Sequence, residues 1–346
     1  MEDFWHFIKR TKRPIVLYGT GNAAERVIDL LDRHGARVSG CMASDGFVRS
    51  RSFRNYRVLS FEEALHIFGE EMVVVLGFGS HDPAVIANIR RIASRCDFYA
   101  PDILLSPEGE VFDTEYYEKH LKDIEGALSL LADDESRRVF SKEIEYRLSA
   151  RIEPLLECES SDEDNWRLLD IGPDEAFMDL GAYNGDTIRR FLSFTTTYEH
   201  IYAVEPERRN FRRLESYAGT LSNCETYNIG ISDRREEGHF LQKRGRGSNA
   251  AALSGERLQF DSIDNILSGR RASILKFDIE GNEAKGLRGA EYTIRTYRPR
   301  MVLSAYHRID DFWVLPAIIA SMRDDYRFYM RHSPCLPAWE YDYFVV

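Results

Sequence analysis

The run Asp179-Leu-Gly181-Ala182-Tyr-Asn184-Gly185-Asp-Thr187 follows an apolar stretch, Ala176-Phe-Met, and precedes a helical pattern. A second apolar stretch, Ile201-Tyr-Ala-Val, ends on Glu205. Glycines in such a turn let the backbone approach a ligand, and an acid one strand later can accept hydrogen bonds from both hydroxyls of a ribose. Together they read as a site for a nucleoside-bearing cofactor.

A second constellation lies downstream, in Ile274-Leu-Lys276-Phe-Asp278-Ile-Glu280-Gly281. Side chains alternate along a strand, so Lys276, Asp278 and Glu280 are expected on one face. A central parallel strand should be apolar on both faces, and three ionisable groups at its carboxyl end are costly unless paired or solvated. That edge is where open α/β sheets hold ligands. The competing reading is an ion pair between Lys276 and one carboxylate that only ties the sheet together. The next strand, Met301 to Tyr306, delivers Tyr306 and His307 to the same edge, followed by Asp310, Asp311 and Trp313. Arg331 and His332, at the end of a later strand, either line a substrate mouth or cap a hairpin; the first is preferred.

The elements that must position these groups alternate strand and helix, which predicts an α/β protein with two doubly wound, Rossmann-like sheets. In the first, strands are expected over 14–18, 37–43 and 72–76, with helices after Gly21, over 61–68 and from Gly79 to Ile92. Apolar residues from 114 to 156 recur at helical spacing and suggest a connector, and the acidic stretch Glu157 to Asp164 reads as a solvated loop. The second sheet is expected to use strands at 176–180, 200–204, 225–231, 272–279 and 300–306, then a terminal antiparallel pair at 326–330 and 339–346, seven strands in all. The resulting domains are 1–112, 113–165 and 166–346.

Composition is consistent with this picture. A chain of 346 residues exceeds what one core usually serves, and 43% hydrophobic with 30% charged residues describes a globular protein. No stretch is long and apolar enough to span a bilayer, and the acid-containing N-terminus does not resemble a secretory signal, so a cytoplasmic protein without membrane partners is expected. The five cysteines lack Cys-x-x-Cys spacing, which suits a reducing compartment and argues against a thiolate metal site. A net charge of -11, from 46 basic and 57 acidic residues, disfavours nucleic acid as a partner and favours a small-molecule substrate. A homo-oligomer is left open.

Residues from about 127 to 346 resemble the FkbM-type family of S-adenosylmethionine-dependent methyltransferases, in a bacterial subgroup with an added N-terminal domain. The likeness rests on the block 177–187, on Val204-Glu205-Pro206, on Ile263-Asp264, on Lys276-Phe-Asp278-Ile-Glu280-Gly281-Asn-Glu283, on Leu287, Gly289 and Ala290, and on Tyr306-His307 with Asp311. The resemblance implies S-adenosylmethionine as cofactor, held by Asp179, Gly181, Ala182, Asn184, Gly185, Thr187, Glu205, Pro206, Asn228, Gly230 and Asp278. It also implies methyl transfer, expected to a hydroxyl of a sugar, glycan precursor or similar polyhydroxylated metabolite. Such an acceptor must lose its proton, so His307, or a carboxylate of Asp278 or Glu280, is the candidate general base. Alternatively the same three groups could hold Mg2+ to acidify the hydroxyl; the metal-free version is preferred. Tyr306, Arg331, His332 and, on resemblance alone, Ser248 are candidate substrate contacts. The glycine- and arginine-rich stretch Gln242 to Gly255 is a candidate lid or an unstructured loop.

The N-terminal domain carries its own fingerprint, Gly19-Thr-Gly21-Asn22-Ala-Ala24 between strand and helix, for which NAD or a nucleotide-sugar is the candidate ligand. Asp45 is its only candidate ribose acid, and it lies later than the usual spacing of about 20 residues. A fold kept only for packing is the alternative. For the whole chain, an enzyme acting through this N-terminal site, or a non-catalytic binding module, competes with the methyltransferase.

Overall fold

The architecture is that of a computed structural model in which residues 3–44, 52–102, 110–240 and 256–346 are described. Asp45, Ser248 and the segment Gln242 to Gly255 lie outside the described residues. The first sheet contains β1 (Ile15–Tyr18), β2 (Gly40–Met42), β3 (Ser52–Phe53), β4 (Tyr56–Leu59), β5 (Val73–Leu76) and β6 (Asp97–Tyr99), in the order β3-β4-β2-β1-β5-β6. All neighbours are parallel except β3 with β4. β1 and β5 are buried along their whole length, as parallel strands covered on both faces require. The helix Phe61–Phe68 starts on a capping box of Ser60 and Glu63, and the helix Pro83–Ala93 on Asp82 with proline in its first turn.

The connector is helical, over Thr114–Lys119, Leu121–Leu130, Asp134–Ser149 and Glu153–Glu157. The acidic stretch that reads as a loop is only partly one. Ser161 caps a helix over Asp162–Arg167, which puts Asp162, Glu163 and Asp164 in the first turn, where the helix dipole favours negative charge.

The second sheet is built from β7 (Ala176–Leu180), β8 (His200–Val204) and β9 (Cys224–Tyr227). Next along the chain, β10 (Gly230–Ile231), β11 (Glu236–Phe240) and β12 (Glu256–Asp261) form a small separate sheet. β13 (Ile274–Phe277), β14 (Arg300–Ser304), β15 (Phe328–His332) and β16 (Tyr341–Val345) then complete a seven-stranded sheet of order β15-β16-β14-β13-β7-β8-β9. β16 is antiparallel to both its neighbours, as the sequence leads one to expect of the last pair. The expected single strand 225–231 is instead broken at Asn228, whose side-chain amide donates to the carbonyls of Glu205 and Pro206 at 2.8 and 3.1 Å. One continuous core cluster runs through all three parts of the chain, joining Val74, Ile89, Ile124, Phe140, Leu275 and Phe312. The buried Arg147 ties them electrostatically: it meets Asp102 at 3.1 Å and the carbonyl of Ile309 at 3.2 Å, and it pairs with Glu143.

Candidate active site

β7 and β13 are neighbours whose outgoing connections run to opposite sides of the sheet, so a crevice opens beyond their carboxyl ends. Gly181 begins the turn after β7 at φ 87°, and its amide reaches the Val204 carbonyl at 2.9 Å. A Cβ at this position would stand 1.9 Å from the Asp278 carbonyl oxygen, so only glycine permits the approach. Gly185, at φ 85°, then caps the helix Asp186–Phe194. Ala182 is buried, while Asn184 and Thr187 are half-buried on the same turn and helix start.

Glu205 follows β8 and is buried. One carboxylate oxygen accepts the Tyr183 amide at 2.9 Å and the other the Glu207 amide at 2.8 Å. Burial pushes its pKa up to about 7 in spite of these two donors. Asp179, on β7, is fully buried, and neither of its oxygens has a hydrogen-bond partner among the described residues; Lys276 Nζ lies 3.8 Å away. Burial likewise raises Asp179 to about 7. The ion pair envisaged for Lys276 exists, but it is shared: the ammonium also meets Asp278 at 3.3 Å. Burial alone would lower the Lys276 pKa, and these two carboxylates reverse the effect.

His307 follows β14 and is buried. Its Nδ1 meets Glu283 Oε1 at 2.8 Å, while Nε2 faces Asp278 Oδ1 at 3.4 Å and Glu280 Oε2 at 3.9 Å. Desolvation opposes protonation, yet the three carboxylates raise the pKa to about 9. The three catalytic candidates are thus side by side. Strand alternation is not what brings Glu280 there, because β13 ends at Phe277 and Glu280 lies in a turn at φ 58°, a conformation a non-glycine residue adopts at a cost of roughly 1–3 kcal/mol. Tyr306 packs its ring against His307 with centroids 4.4 Å apart.

Two substrate candidates are engaged elsewhere. Arg331 pairs with Asp133 at 2.6 Å and donates to Ser136 at 2.8 Å, which ties β15 to the connector. His332 is fully buried, stacked on Tyr341 with centroids 4.2 Å apart, and burial lowers its pKa to about 4. Both stand at the expected sheet edge, where Arg331 holds the connector and His332 packs within the β15–β16 pair.

Glu283 is the functional candidate that sequence reasoning passed over. It sits in the helix Glu283–Arg288, fully buried, and accepts the Ile279 amide at 2.9 Å as well as holding the His307 ring. The third acid of the Asp278, Glu280, Glu283 series was the available signal. Among the described residues, no group of three His, Cys, Asp or Glu side chains is arranged to hold a metal ion, so the Mg2+ alternative gains no support. In the first sheet, Gly19 has φ 129° and Gly21 caps the helix Asn22–Arg33. The Phe78 ring lies against Gly19, 2.9 Å from where a Cβ would stand.

Residues 179–333 match the profile of the methyltransferase FkbM domain. This region is an FkbM-type methyltransferase domain. The chain is also similar to the crystal structure of methyltransferase FkbM from Methylobacillus flagellatus, with a TM-score of 0.76 and 18% identity over 96% of this chain and 90% of that one. The likeness of fold therefore takes in the N-terminal sheet as well. Weaker similarities link the chain to an rRNA methylase from Streptococcus thermophilus (TM-score 0.36, 11% identity, 53% of this chain and 92% of that one). A putative methyltransferase from Streptococcus mutans in complex with SAH gives a TM-score of 0.35 and 12% identity, over 54% and 96% of the two chains. No curated protein matches the chain. No helix among the described residues is long and apolar enough to cross a membrane.

The residues of the FkbM-type crevice fit an adenosine-bearing cofactor. Buried, unpartnered oxygens on Asp179 and Asn184 offer acceptors, and the absence of a side chain at 181 lets the turn after β7 close against the Asp278 backbone. Glu205, at the end of the neighbouring strand, is where a ribose acid is required.

Proposed function

We propose that the domain transfers the methyl group of S-adenosylmethionine to a hydroxyl of a sugar, glycan precursor or other small polyhydroxylated metabolite. Asp179, Gly181, Asn184, Gly185 and Glu205 would hold the cofactor, which supplies an electrophilic methyl group. The observation that carries the reading is His307, anchored through Nδ1 to Glu283 and turning Nε2 toward Asp278 and Glu280 at the edge of the crevice.

In this arrangement Nε2 takes the acceptor hydroxyl's proton as the oxygen attacks. Glu283 fixes the ring's orientation and stabilises the imidazolium that forms, the service a buried carboxylate performs for a catalytic histidine. Asp278 and Glu280 accept hydrogen bonds from other hydroxyls of the acceptor and hold its reacting oxygen in line, which supplies much of the rate in a displacement of this kind. Because the carboxylates keep His307 protonated up to about pH 9, only a fraction of the enzyme is competent at neutral pH, and the rate should climb with pH until the ring is neutral.

The test is transfer of labelled methyl from S-adenosylmethionine to neutral sugars, with calorimetry of S-adenosylhomocysteine alongside. In His307→Ala, turnover should fall at least about 100-fold, the usual scale for losing a general base, with product affinity within threefold of the parent. Equal loss of both would make His307 a structural residue.

A further inference from the structure

The carboxyl edge of the first sheet does not face solvent alone. After β5 the chain runs Gly77-Phe78-Gly79-Ser80-His81, and this loop meets the segment between β15 and β16. Ser80 and Leu336 exchange backbone hydrogen bonds, 2.8 Å from Ser80 to Leu336 and 3.0 Å in return. Gly79 lies under the Trp339 indole so closely that a Cβ there would stand 2.2 Å from the ring. The residue after Trp339 is Glu340, at φ 66° in the left-handed region, a local backbone strain. Burial raises the Glu340 pKa, and the charges acting on it are Asp278, Lys276 and His307 on the methyltransferase side and His81 on the N-terminal side. Asp342, accepting from Ser304 at 3.2 Å, stands beside it on β16. The Ala305 amide donates to the Tyr341 carbonyl at 2.8 Å, which sets the Trp339–Glu340 segment beside Tyr306 and His307 at the end of β14.

We propose that the Phe78–His81 loop is a wall of the methyl-acceptor cleft, with His81 and the Trp339–Glu340 pair determining which acceptor is seated against His307. The inference rests on the methyltransferase reading above and deepens it. It gives the N-terminal sheet a role in specificity without a ligand of its own: a backbone bridge and a glycine contact fix the loop against the segment that leads into β16.

The experiment uses the full chain and the variants Gly79→Ala and His81→Ala. Product affinity is read by calorimetry with S-adenosylhomocysteine, acceptor KM by labelled-methyl transfer to a panel of free hexoses, N-acetylhexosamines and hexose phosphates, and the wall itself by acrylamide quenching of tryptophan fluorescence, with Trp339→Phe subtracted to isolate that indole. Both variants should raise acceptor KM at least tenfold and leave homocysteine-product affinity within twofold. In Gly79→Ala, quenching of Trp339 should rise at least twofold as the new methyl displaces the ring, whether or not an acceptor in the panel is turned over. Unchanged KM or unchanged quenching overturns the wall. Loss of product binding in the parent chain would instead overturn the methyltransferase reading, a separable result.

Discussion

The molecule contains two crevices built on the same backbone plan and finished with different side chains. In the first sheet Gly19 donates to the Met42 carbonyl at 2.9 Å and Gly77 to the Tyr18 carbonyl at 2.9 Å. In the second, Gly181 donates to Val204 at 2.9 Å and Asp278 to Leu180 at 3.0 Å. Gly19 and Gly181 both have positive φ. The difference lies in what the strand ends carry. At the first crevice they present Ala43, Gly77 and Phe78, and the Phe78 ring packs on Gly19 and edge-on to Tyr18 with centroids 4.9 Å apart. At the second they present Asp179, Glu205 and Asp278, at the energetic cost of burying Asp179 and Glu205, the first of them without a hydrogen-bond partner among the described residues. A glycine turn at a topological switch point makes room; charged groups retained there against their desolvation cost are what point to a ligand.

The largest effect expected from this contrast is at Gly181. In Gly181→Val the Cβ would meet backbone, which cannot yield as a side chain can, so S-adenosylhomocysteine binding should weaken more than 100-fold; retained binding would show that the crevice does not depend on the close approach. The counterpart, Gly19→Ala, confronts the Phe78 ring at 2.9 Å and the Gly77 carbonyl at 3.2 Å in a left-handed conformation. Denaturant melts should show a loss of about 1–3 kcal/mol with product affinity unchanged. A fall in affinity equal to that of the Gly181 variant would erase the distinction between the crevices.

Glu283→Gln sharpens the comparison from the catalytic side. Removing the charge nearest to Nδ1 should move the ascending limb of the pH–rate profile down from about 9 by one unit or more, where one unit corresponds to about 1.4 kcal/mol. An unmoved profile would separate His307 from the rate.

A last effect is in the cofactor-free stability. His307, raised from 6.5 to about 9, contributes stability that is complete below pH 6.5 and lost as the pH rises through 9. Asp179 and Glu205, held up at about 7, take protons in the fold that they would not hold when unfolded, and that preference disappears as the pH rises through 7. All three act in one direction, so thermal melts should show stability declining from about pH 6 to about pH 9.5. A flat or rising curve over that range would place these groups in more polar surroundings.

Much of this was legible in the sequence, for identifiable reasons. β7, β8, β13 and β14 are largely apolar runs because both faces of a central parallel strand are covered, Asp179 and Lys276 being the interruptions, and their ends were marked by Gly181, Glu205, Asp278 and His307. β11 and β12 escaped because Glu236-Glu-Gly-His-Phe240 and Glu256-Arg-Leu-Gln-Phe-Asp261 are short and charge-rich, with no clean alternation to signal a buried face. The break at Asn228 depends on carbonyls more than twenty positions earlier in the chain, which no local pattern encodes. Arg331 and His332 were placed at the right edge, but the direction of their side chains is set by Asp133 and Tyr341, partners distant in sequence or across a loop. Glu283 was visible as a residue of a motif, while its contact with His307 exists only once the helix Glu283–Arg288 folds back on β14.

The central claim is that the crevice between β7 and β13 holds the methyl donor with Glu205 on its ribose, and titration calorimetry of S-adenosylhomocysteine into the parent chain and Glu205→Ala tests it most directly. The expected result is saturable one-to-one binding by the parent, weakened at least tenfold in the variant. Absence of binding to the parent, or equal affinity in both, would contradict it.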